Sequence, residues 1–290
     1  MSLTQEHRTD TTQFESVQRG NQTWWTKNTM SYDWKNRIPF ERFTEPWYDE
    51  IDKRFIYSSR LFATHIKPFD LIIPFEEIKG KRILEIGCGM GLHTELMARA
   101  GAEVLSLDLS PTSVEATQRR LALRGVSASV MQGDAEEMRF PDQHFDFVWS
   151  WGVIHHSSRT AKIVRQIARV LRPNASCRIM VYNRDGMAAR LAFLRYHLFE
   201  GGIFRWSFDQ SLHQSTDGFS ARHYVKDQFE DLFRAFFTDV RASICGQEVD
   251  AIPLPAMLRK AAVKMISESW LKKKQAQRGA FLFLVARNPV

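Results

Sequence analysis

From residue 81 onward the apolar positions switch between two periods. The runs 82–87, 103–108, 127–132, 145–150 and 175–182 are short, apolar and bounded by polar or glycine-containing turns, as strands buried on both faces are. Between them, 91–100, 111–123 and 159–171 repeat their apolar residues at helical spacing. The punctuation agrees. Ser110 and Pro111 supply an N-cap and a first helical residue. Asp142 and Gln143 make a polar turn before FDFVWSW, and Pro173 closes the helix that ends at Leu171. Strands alternating with helices predict an α/β fold, a parallel sheet covered on both faces.

The flanks read differently. Residues 1–22 are polar with few aliphatics and predict a disordered tail. Residues 23–80 predict a helical cap, because Trp24, Trp25, Tyr32, Trp34, Phe40, Phe43, Trp47 and Tyr48 sit among many charges and need something to pack on. The main domain is then 81–290, with an irregular aromatic-rich insertion at 184–224. After it come an amphipathic helix at 225–237 and strands at 238–245 and 280–287. A second insertion, 246–279, holds a basic amphipathic helix from about 255 to 274 that places Met257, Ala261, Met265 and Trp270 near one face. That helix either docks on its own domain or makes a weak membrane-surface contact.

Composition narrows the class. The chain has 290 residues and a net charge of +7. The excess is local: Arg259, Lys260, Lys264, Lys272, Lys273, Lys274 and Arg278 face one acid, Glu268, over 259–278. No general nucleic-acid-binding coat is present, so no nucleic-acid partner is expected. Cys88, Cys177 and Cys245 are odd in number and widely spaced, which suits neither a metal pair nor a disulfide framework. The polar N-terminus shows no apolar leader and no run has membrane-span length, so a cytoplasmic location is expected.

The chemistry concentrates in KRILEIGCGMGLHTELMARAGAEVLSLDLSP, residues 81–111. Gly87, Gly89 and Gly91 follow the first strand directly, where a ligand can approach the backbone closely. The dinucleotide fingerprint puts its third glycine one residue later, at a position held here by Leu92. Glu85 lies two residues before Gly87 and would repel a pyrophosphate but favour a cation. That charge points to S-adenosylmethionine (SAM), which carries a sulfonium and an ammonium and no phosphate, over NAD. Asp108 ends the second strand, where a carboxylate can accept from both ribose hydroxyls. Asp134 in QGDAEEM can accept from an adenine amine, with Ala135 leaving room beside the ring.

With these pieces in place, residues 82–184 resemble the class I SAM-dependent methyltransferases, in particular the small-molecule branch that includes ubiquinone/menaquinone-type enzymes. The matching segments are LEIGCGMG, VLSLDLSP, QGDAEEMRFPDQHFDFVWS, GVIHH and VLRPNA, in the family's order. LRPNA departs from it, since glycines often follow that proline in the family. The resemblance implies a Rossmann-like seven-stranded sheet of order 3-2-1-4-5-7-6 with strand 7 antiparallel, helices on both faces, and insertions after strands 5 and 6. It implies SAM as cofactor. Glu85, Gly87, Cys88 and Gly89 would face the methionine part, Asp108 the ribose, Leu109 the adenine face, Asp134 and Ala135 the adenine edge, and Ser150 and Trp151 the methionine amine and methyl group.

The expected reaction is methyl transfer to a small-molecule acceptor, with O-methylation favoured over N- or C-methylation because several proton acceptors surround the expected pocket. His155, His156 and His223 are the candidate bases, with Tyr182, His213 and Asp217 near them in sequence or in the 184–224 insertion. Adjacent histidines with no third ligand nearby do not predict a metal. Two alternatives stand beside this reading. One is an RNA or protein methyltransferase, which steep salt dependence of RNA binding would reveal. The other is a SAM-binding scaffold without turnover, which would bind the donor yet release no S-adenosylhomocysteine.

Overall fold

The computed structural model describes residues 3–290. In chain order the elements are α1 (Leu3–Lys27), α2 (Glu45–Ala63), α3 (Phe75–Ile78), β1 (Arg82–Ile86), α4 (Leu92–Arg99), β2 (Glu103–Asp108), α5 (Pro111–Leu123), β3 (Ser129–Gln132), β4 (Phe145–Trp151) and α6 (Thr160–Val170). There follow β5 (Leu171–Asn183), α7 (Met187–Ala192), α8 (Phe208–His213), β6 (His223–Tyr224), α9 (Lys226–Arg234), β7 (Phe237–Cys245), α10 (Glu248–Ala251), α11 (Ala256–Met265), α12 (Glu268–Arg278) and β8 (Phe281–Pro289).

The main path of the sheet runs β3-β2-β1-β4-β5-β8-β7. Among the described residues only β8 runs against its neighbours, pairing antiparallel with both β5 and β7. This is the expected order and the expected reversed strand, with one addition: the short β6 pairs parallel to β5. Period-two alternation explains why the central strands read as apolar throughout. In β1, Leu84 and Ile86 join α6 residues Ile163, Val164 and Ile167 in one core, while Ile83 joins Met97, Phe147 and Trp149 in the other. Each such aliphatic side chain contributes roughly 1.5–3 kcal/mol by leaving water.

Helix α5 begins where expected, and the Ser110 hydroxyl accepts from the Ser113 amide. Around Pro173 the strand β5 starts early, at Leu171, and its pairing to β4 slips between Phe145 and Phe147. Pro173 has no N–H to give the ladder and Asn174 is left-handed, so the slip takes the form of a bulge.

Two expectations are corrected. The disordered tail over 1–22 is instead the bulk of a helix from Leu3 onward; Met1 and Ser2 lie outside the described residues. What holds it is amide hydrogen bonding, which a search for aliphatics cannot see: Gln18, Asn21 and Gln22 all donate to the main domain. The single basic helix at 255–274 is two helices. Ile266 is extended, and the Ser267 hydroxyl accepts from the Trp270 amide to start α12 afresh.

Candidate active site

The glycine loop leaves β1 through left-handed backbone at Gly87, Gly89 and Gly91, and Gly91 caps α4. Gly87 is required twice. Its φ is +84°, and a Cβ there would lie 2.1 Å from Val153 Cγ2, so the loop after β4 can close onto it only if no side chain intervenes. The loop floors a cavity of about 430 Å³ at the carboxyl ends of the parallel strands, a volume suited to a small-molecule ligand.

Asp108, Leu109, Gly133 and Ala135 line the cavity together with Gly87, Cys88 and Gly89 of the loop. Trp151, Phe55, His93, Tyr32 and His156 line the rest. The structure thus gathers eight of the expected residues: Gly87, Cys88, Gly89, Asp108, Leu109, Ala135, Trp151 and His156.

Five others stand outside the lining. Glu85 is fully buried beneath the loop, where its Oε2 accepts from Thr94 and from Ser106 Oγ (2.7 Å). Burial pushes it up to about 7, the Asp108 charge adds to that, and the two hydroxyls oppose it. Of the two carboxylates, Asp108 is therefore the one that lines the cavity. Asp134 caps the turn Ala135–Glu137, accepting from the Glu136 amide (2.8 Å) and from Gln18 Nε2 of α1 (2.8 Å). Ser150 donates to the Ile86 carbonyl (3.1 Å) within the sheet. His155 is fully buried, its ring centroid 4.2 Å from that of His156 and 4.1 Å from that of Tyr182, and burial holds it neutral far below its ordinary range. His223 stacks on Tyr182 (5.3 Å) and burial lowers it to about 4.

His156 is the one of the three expected histidines that lines the cavity. Its Nδ1 lies 2.7 Å from the Ser220 carbonyl oxygen, so that nitrogen carries the proton and Nε2 keeps the lone pair. Burial lowers its pKa to about 4, leaving the ring neutral near pH 7. Trp25 of α1 meets the same ring edge-on at 5.0 Å.

Several lining residues escaped the sequence reading. Gln18, Asn21 and Trp25 lie on one face of α1; Asn21 donates to the His156 carbonyl (2.7 Å) and accepts from the Ser220 amide (3.2 Å). Their spacing of three, four and seven with Gln22 is a helical stripe, but a polar one. Lys35 Nζ reaches Asp217 at 2.5 Å, joining the N-terminal segment to the 184–224 insertion beside the cavity. His93 packs against Phe69 (4.5 Å) and Trp149 (5.2 Å), and burial lowers it to about 3.

The residues present fit an adenosyl donor. Asp108 spends one acceptor site on each of Ser110 N (2.9 Å) and Gly89 N (3.1 Å), and a carboxylate has others left for ribose hydroxyls. Gly133 and Ala135, both small, line the cavity beside it.

The comparisons agree. The family described as "Methyltransferase domain" matches residues 84–179. The ubiquinone biosynthesis O-methyltransferase of Azorhizobium caulinodans is 32% identical over 117 residues, 40% of this chain and 46% of that protein. The fatty-acid O-methyltransferase of Mycolicibacterium smegmatis is 36% identical over 99 residues, 33% of this chain and 35% of that protein. The chain thus spans about half or less of the length of these curated relatives. A SAM-dependent methyltransferase structure from Mesorhizobium loti superposes with a TM-score of 0.50 at 19% identity, covering 73% of this chain and 93% of that one, which shows the fold. Residues 84–179 thus match a methyltransferase domain, set in a sheet and glycine loop whose cavity lining fits S-adenosyl-L-methionine as the cofactor of that domain.

Proposed function

We propose that the chain transfers a methyl group from S-adenosyl-L-methionine to an oxygen of a small, largely apolar acceptor. The observation that carries this is one cavity lined by Asp108, Leu109 and Ala135 together with Phe55, Trp151 and the neutral His156. When bound, the cofactor supplies an electrophilic methyl on a sulfonium. The Asp108 carboxylate and the backbone of Gly87–Gly89 hold the donor. Phe55, Tyr32 and Trp151 orient the acceptor and exclude water. With the donor held there, it would supply its methyl to the acceptor oxygen and leave as the neutral thioether, and His156 Nε2 would take the acceptor's proton. Positioning is the larger effect, roughly 7–11 kcal/mol. The base adds about 10²–10⁴-fold. Both curated relatives reported above are O-methyltransferases by name, which supports the choice of oxygen.

The test is incubation with S-adenosyl-L-methionine and a panel of phenols, fatty acids and amines, reading S-adenosylhomocysteine and methylated product by mass spectrometry. Product from an oxygen acceptor is expected, and His156→Asn should lower kcat by about 10²–10⁴-fold. Its donor affinity should stay within roughly threefold, since the change leaves the donor contacts in place. Donor binding without product from any acceptor overturns the transfer; undiminished turnover in the variant removes His156 as the base.

A further inference from the structure

The second insertion carries a surface that methyl transfer does not use. Helix α11 contains no buried residue. Its inner side, Ala262 and Val263 with Ile266 just beyond, rests on Leu61, Ala251, Ile252 and Leu271. Its outer side is apolar as well: Met257, Ala261 and Met265 recur every four residues and so stand one above another, with Leu258 beside them. Met257 is 81% exposed and Met265 88%. A helix that faced only water on that side would be polar there. Lys260 and Lys264, four residues apart and both exposed, border the stripe, and the exposed Lys273 adds a further cation on α12. Helix α10 touches both α11 and α7, so the first insertion adjoins the second. Beyond α7 it projects Phe199 (83% exposed) and Phe204 (90%).

We propose that α11 lies flat on an anionic lipid surface, with Met257, Leu258 and Met265 in the acyl boundary, Lys260 and Lys264 at the headgroups, and Phe199 and Phe204 as neighbouring anchors. Charge selects this occupant. A second copy of the chain meeting the same face would set lysine against lysine. A nucleic acid would satisfy the lysines and leave the methionines in water. None of the described helices is long and apolar enough to cross a membrane, so the contact is with the surface. It goes beyond the methyl transfer proposed above and is read without turnover.

The experiment is flotation of the full chain with phosphatidylcholine vesicles, with and without phosphatidylglycerol, at low and high salt. Binding is expected to the anionic vesicles only and to weaken with salt. One lysine near such a surface is worth about fivefold, so Lys260→Glu with Lys264→Glu should weaken binding by at least roughly 20-fold. Met257→Ser with Met265→Ser should weaken it by at least about tenfold. All these side chains are exposed, so thermal melting should be unchanged, and Phe199→Ser with Phe204→Ser supplies a third weakened variant. The proposal is overturned if the wild-type chain fails to float with anionic vesicles, if the lysine and methionine variants float as it does, or if the methionine pair instead splits a dimer in sedimentation.

Discussion

Asp108 is held in place by the backbone around it. Ser110 N and Gly89 N each donate to one of its oxygens, so the carboxylate stands at the end of β2 at no further conformational cost. Burial raises its pKa and these backbone donors oppose the rise. Asp108→Asn keeps the shape but removes the charge and sets an amide N–H₂ against a backbone N–H. Hydrogen bonds to a charged group are worth about 1.5–3 kcal/mol, so the donor's dissociation constant should rise by roughly 10- to 100-fold in titration calorimetry. An unchanged constant would dismiss the ribose role. This residue was legible because a strand ending in an acid is a local pattern. Glu85 was misplaced for the opposite reason. Its partners, Thr94 and Ser106, are 9 and 21 residues away, and only the folded sheet shows that they draw the carboxylate under the loop.

Elements that follow a short-range rule were readable, and those joined by long-range polar contacts were not. Helix α5 announces itself by Ser110-Pro111, whereas α1 offers amides where a search for a core looks for aliphatics. The break between α11 and α12 hid in a run that keeps its apolar period, although Ser267 is a cap signal. The attachment of α2 was equally hidden. Arg120 of α5 is fully buried; its guanidinium donates twice to Asp52 of α2 (2.8 and 2.7 Å) and once to Glu95 of α4 (2.7 Å). Arg124 adds longer contacts to both acids, 3.4 Å to Asp52 and 3.2 Å to Glu95. Arg120→Met fills the space but leaves two carboxylates short of their main counter-charge, which should cost about 3–5 kcal/mol. Urea unfolding measures it, and a loss under about 1 kcal/mol would show that Arg124 alone holds the cap.

At the scale of the whole molecule the buried histidines set the response to acid. Burial holds His93 near about 3, His156 and His223 near about 4, and His155 lower than its ordinary value by a wide margin. In the unfolded chain each takes up a proton near pH 6.5, and in the folded chain it does not until far lower. Unfolding therefore draws in protons as pH falls from about 6.5 toward 4, and stability falls with it. Glu85 works the other way. Its folded pKa of about 7 lies above the model carboxylate value of 4.5, so its contribution is complete below pH 4.5 and is lost as pH rises through 7. Asp108, Asp134 and Asp250 are also raised by burial and share that sign. Between pH 5 and 6.5 four imidazoles oppose the Glu85 carboxyl, so the net slope is a loss on the order of 2–4 kcal/mol per pH unit of acidification. Urea midpoints at pH 7.5, 6.5 and 5.5 should fall in that order; a midpoint at pH 5.5 equal to that at 7.5 would contradict the count. Glu85→Gln sharpens the test, because it deletes the opposing proton and should steepen the acid loss by roughly 1 kcal/mol per unit. A change confined to the overall midpoint, with the slope untouched, would show that Glu85 is ionised in the folded protein across this window.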